Sequence, residues 1–71
     1  MVEERMLHVR FDGQSLDLAF YVLDVGDVST DGEIRLAVAR YLGVPAQRLT
    51  PYVVERHANG NITVRPEAVF G

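Results

Sequence analysis

Two turn signals, Asp12-Gly13 and Asn59-Gly60, stand on either side of one stretch with helical periodicity, and this constrains the fold more than any other feature. Residues that tolerate positive φ, set between alternating apolar runs, are the strongest short-range mark of a β-hairpin. Before the first turn, Met6 to Phe11 alternates, with Leu7, Val9 and Phe11 on one face and His8 and Arg10 on the other, the period of a half-buried strand. After it, Leu16 to Asp24 continues the pattern, with Leu16, Leu18, Phe20 and Val22 set against Asp17, Ala19 and Tyr21. Leu23 and Val25 break the phase and predict a bulge or a strand end near them.

Thr30 followed by Glu33 has the spacing of a capping box, so a helix is predicted from about residue 31 to 42. Ile34, Ala37, Val38, Tyr41 and Leu42 supply its apolar stripe, and Arg35 and Arg40 lie away from it. Gly43 ends the helix in the left-handed conformation and Pro45 prevents continuation. Val44 to Pro51 is then a connecting loop with Leu49 as its inward anchor. Tyr52 to His57 and Asn61 to Arg65 are the arms of the late hairpin, with Ile62 and Val64 on one side, and Pro66 closes the last strand.

The chain has 71 residues, which allows one small domain, since chains of this size bury only roughly 60% of their unfolded surface. Residues 1–5 read as a flexible lead and 66–71 as a C-terminal tail. With no cysteine, neither disulfides nor thiolate metal ligation can supplement the core, and thiol nucleophiles are excluded. A net charge of −3 argues against non-specific binding to nucleic acid or anionic membrane, which need a dense cationic field. All seven basic residues are arginine. Either the genome favours arginine codons, or lysine amines are avoided because they would accept acyl groups. Met1-Val-Glu-Glu-Arg5 has the wrong charge for a signal peptide, and the apolar run Leu18 to Leu23 is too short to span a bilayer, so a soluble cytoplasmic protein is the expectation.

The order hairpin, helix, hairpin gives an α+β class, ββαββ, with one helix to cover one face of a four-stranded sheet. Either the first and last strands lie parallel at the centre, or the hairpins meet by another edge. At this point the whole chain resembles the ubiquitin-like β-grasp family: an N-terminal hairpin over residues 6–24, one helix over about 31–42, a late hairpin, and a last strand running into the tail Glu67-Ala68-Val69-Phe70-Gly71. In size it is similar to the small sulfur carriers of that family. The resemblance implies a four-stranded mixed sheet with the first and last strands parallel at its centre. It also implies a small protein modifier or sulfur carrier, monomeric and without catalysis or cofactor of its own. Gly71 would be the acyl carrier, activated by an E1-like adenylating enzyme. The family usually ends in two glycines, whereas Phe70 precedes Gly71 here.

Val69 and Phe70 either fold back onto the core or stay free as a hook for a partner. Under the parallel arrangement, His8, Arg10, Ala19, Tyr21, Thr63 and Arg65 gather on the outward sheet face, where arginine and tyrosine are the usual anchors of a protein interface. That face gives the competing function, a non-covalent interaction module of the same fold. His8 and His57 both fall on outward faces. Asp27, Ser29, Asp31 and Gly32 match the start of a calcium loop, but its twelfth position is Val38 where a bidentate carboxylate is needed, so the segment reads as a capping loop. No Ser/His/Asp, paired-carboxylate or phosphate-loop constellation is visible, so the expectation is not an enzyme.

Overall fold

The computed structural model describes residues 5–67. The elements run β1 (Met6–Phe11), β2 (Gln14–Ala19), α1 (Phe20–Leu23), α2 (Asp31–Leu42), a 3₁₀ turn (Ala46–Leu49), β3 (Tyr52–Arg56) and β4 (Ile62–Pro66). The strands form one mixed sheet in the order β2-β1-β4-β3. β1 pairs antiparallel with β2 and parallel with β4, and β3 pairs antiparallel with β4. The chain is therefore α+β, with a four-stranded mixed sheet, one main helix, and the parallel pair at the sheet's centre. None of the described helices is long and apolar enough to cross a membrane.

The first hairpin turns on Asp12 (φ 51°) and Gly13 (φ 78°), the positive-φ pair that a two-residue loop needs. This turn sets Leu7 opposite Leu18 and Val9 opposite Leu16. From β4, Ile62 and Val64 come alongside Leu7 and Val9. These inward side chains meet Ile34, Val38 and Ala39 of α2, and Leu49 of the 3₁₀ turn completes the core as the anchor of its loop.

The expected second strand to Asp24 is wrong beyond Ala19. The Phe20 amide makes a last cross-strand bond to Arg5 O, and the chain then coils into α1, closed by Asp24 at φ 56°. The break in phase at Leu23 and Val25 marks this change: both side chains pack against the core, which a straight strand could not bring about. Tyr21 and Val22 face solvent as a result, at 76% and 47% exposure. The helical stripe is also rotated from expectation. Ala39 is buried and Tyr41 is half exposed, because the face nearest the sheet carries Ile34, Val38 and Ala39.

The capping box forms as the spacing predicts: Thr30 Oγ1 accepts from the Glu33 amide (3.1 Å), and Glu33 Oε1 accepts from the Thr30 amide (2.7 Å). Hydrogen bonding to the carboxyl, from the Thr30 backbone amide first and the Thr30 side chain second, holds Glu33 below its ordinary value of 4.5. A lowered folded-state pKa contributes stability that is present above the unfolded value and is lost as pH falls through the folded one. Thr30→Ala is expected to cost about 1 kcal/mol in thermal denaturation at neutral pH. Glu33→Gln is expected to flatten the pH dependence of stability below 4.5. Equal acid sensitivity in wild type and Glu33→Gln would show that the cap does not titrate.

The late hairpin closes through the three residues left between its arms, Tyr52 to His57 and Asn61 to Arg65. His57 donates its amide to Asn61 O (2.9 Å), leaving the three-residue loop Ala58-Asn59-Gly60 with Gly60 at φ 92°. A turn followed by a positive-φ glycine is the common three-residue hairpin form. The loop is packed: a Cβ at Gly60 would lie 3.0 Å from Arg5 Nε. Arg5 also ion-pairs with Asp27.

Candidate interaction face

One face of the sheet is covered by α2 and the opposite face has no element across it among the described residues. Strand alternation gives that open face a grid. In one row, Asp17 of β2, His8 of β1, Thr63 of β4 and Glu55 of β3 are successive Cα partners. In the next, Ser15 is opposite Arg10 and Arg65 is opposite Val53. The β1/β4 register runs to Val9 opposite Val64, so Arg10 and Arg65 come side by side one step further on.

Most polar groups here are engaged with each other. His8 Nδ1 is hydrogen-bonded to Asp17 Oδ1 at 2.5 Å, and His57 Nε2 and Thr63 Oγ1 share a bond of 2.7 Å. Arg65 donates from Nε to Glu55 Oε1 and from Nη1 to Pro66 O, both at 3.3 Å. Arg10 is exposed and has no carboxylate partner among the described residues. At the same end of the sheet, Arg48 lies 5.1 Å over the Phe11 ring and reaches both oxygens of Asp12 at 3.4 Å.

The structure thus brings together His8, Arg10, Thr63 and Arg65 from the sequence-based face. Ala19 lies on it but is buried, opposite Met6. Tyr21 is the exception: it sits on α1, beyond the end of the strand. Val69, Phe70 and Gly71 lie outside the described residues. Asp17 and Glu55 were missed as members. The Asp17 signal was in the sequence, since a two-residue turn at residues 12 and 13 pairs positions that add to that same sum, and hence His8 with Asp17.

The loop before α2 uses its oxygens internally. Ser29 Oγ accepts from the Gly26 amide (2.9 Å), and Arg56 Nη2 bridges Ser29 O and Asp31 Oδ1 (2.9 and 2.8 Å). No group of three or more His, Cys, Asp or Glu among the described residues is placed to hold a metal ion. A separate shallow groove of about 240 Å³ lies between Leu23–Ser29 and α2, lined in part by Val25, Leu36, Glu33 and Arg40. It mixes apolar surface with both signs of charge and contains no nucleophile paired to a base. No protein-family model matches the chain, and neither does any curated protein or any solved structure.

Proposed function

We propose that this chain is a ubiquitin-like β-grasp protein that serves as a small modifier or sulfur carrier, activated at Gly71 by an E1-like adenylating enzyme. The observation that supports the reading is the parallel pairing of β1 with β4 at the centre of the sheet, crossed by one helix. That arrangement is the one the family resemblance implies. β4 then leads through Pro66, which has no amide to extend the ladder, into the segment that ends at Gly71. The chemistry asks of the carrier only an accessible carboxylate. ATP adenylates it with loss of pyrophosphate, and a sulfur or amine nucleophile then displaces AMP. Glycine suits the position because it has no Cβ to obstruct entry into a narrow channel.

A second reading is favoured by the open face itself. Arg10, Arg65 and His8 together would make a contact surface for a non-covalent interaction module.

One experiment separates the two. N-terminally tagged full chain and its Gly71-deleted twin are expressed in the source cells, and the intact masses of the protein and of everything that co-purifies are recorded. Covalent adducts or a thiocarboxylate that appear only with Gly71 are expected from a carrier. Unmodified protein with the same non-covalent partner in both samples would sink that reading and leave the interaction module.

A further inference from the structure

We infer that the Arg10–Arg65 corner of the open sheet face docks an acidic, extended segment of another protein. The inference rests on the sheet face being a contact surface and not on acyl chemistry at Gly71, so the two can fail separately. Arg10 and Arg65 take neighbouring positions on the two central strands, and like charges on neighbouring strands destabilise a sheet unless an anion lies between them. Only one of the two is compensated, Arg65 by Glu55. The remaining polar side chains of this face, His8 with Asp17 and His57 with Thr63, are already paired. Arg10 is the arginine of this face with no carboxylate partner among the described residues, and Ser15, its cross-strand partner, sets a hydroxyl-bearing side chain beside it.

The chemistry points to carboxylates. A guanidinium fork matches a carboxylate in plane and spacing, and two neighbouring arginines accept side chains from alternate residues of one extended chain, which point to the same side. A nucleic acid fits less well. It needs many phosphate contacts in a continuous cationic field, whereas this chain is net −3 and carries Asp24, Asp27, Asp31 and Glu33 between α1 and the first turn of α2.

The test is a titration of isotope-labelled full chain with an acetylated and amidated hexaglutamate peptide, followed by amide and arginine Nε shifts at low ionic strength. The expected perturbations cluster at Arg10, Ser15, Val53 and Arg65, and disappear at about 1 M salt, where charges are screened within roughly 3 Å. Arg10→Glu is expected to weaken binding about tenfold or more. Its Tm should be unchanged or higher, because a like charge on the strand position beside Arg65 is removed. Arg40→Glu, on the helix side, should bind as wild type does. No perturbation, perturbation centred on α2, or full binding by Arg10→Glu would overturn the inference. Tighter binding at the same residues by an oligothymidylate of equal charge would overturn it in favour of nucleic acid.

Discussion

Leu49→Ala is expected to destabilise the protein by roughly 2–5 kcal/mol, although the residue lies in the connection between helix and sheet. Leu49 is fully buried at the end of the 3₁₀ turn, among Leu7, Ile34, Val38 and Val64. Removing its isopropyl group leaves a void between α2 and the sheet that the surrounding backbone can fill only in part, so the cost contains both lost transfer energy and a cavity. By the usual per-residue range, a chain of 71 residues has on the order of 4–10 kcal/mol of total stability. The substitution therefore removes a fifth or more of it, and the fall in Tm should be about 10–40 °C. Gln47→Ala, an exposed position on the same turn, is the control and should stay within about 0.5 kcal/mol of wild type. A Leu49→Ala melt within a few degrees of wild type would show that this connection does not dock on the core.

Where the sequence was informative, the local chemistry had one solution. Asp12-Gly13 as a two-residue loop dictates every pair in the first hairpin, down to His8 with Asp17. Thr30 and Glu33 locate the start of α2, and Gly43, at φ 71°, locates its end. Leu49 is the one large apolar side chain well inside its loop, and that loop follows a helix that needs its flank covered. The failures fall where two local solutions were nearly equal. Phe20-Tyr21-Val22-Leu23 is apolar throughout, and four residues cannot distinguish a strand period from a helical one. The outcome there depends on Leu23 and Val25 reaching the core, which is a tertiary fact. Tyr41 and Ala39 lie at opposite margins of the helical stripe, and only the position of the sheet decides which is buried. The parallel pairing of β1 and β4 did not follow from periodicity, which left two sheet arrangements open. The resemblance favoured one of them. For the candidate site, alternation placed His8, Arg10, Thr63 and Arg65 on one face, but Tyr21 was carried along with a strand that stops before it.

The same kind of near-equality makes the register of the late hairpin a sharp test. A two-residue turn at Asn59-Gly60 would slip β4 by one position against β3, and a slip of one sends every side chain of a strand to the other face. In the observed register, Val64 is fully buried between Val9 and Val54, while Thr63 is on the open face with its hydroxyl on His57. Val64→Thr keeps the β-branched shape and adds a hydroxyl in the apolar core. The expected cost is about 1–3 kcal/mol, the range for burying an unpaired hydroxyl. Thr63→Val removes one half-exposed hydrogen bond and should change stability by no more than about 1 kcal/mol. Urea denaturation measures both, and an unchanged m-value keeps the comparison on the folded state. The slipped register predicts the reverse order, with Thr63→Val stabilising and Val64→Thr nearly silent. The ranking of two single substitutions at adjacent positions therefore reports which face of β4 meets the helix. Because the parallel register of β1 with β4 sets Arg65 beside Arg10, a β4 turned over against β1 would remove the basic corner as well.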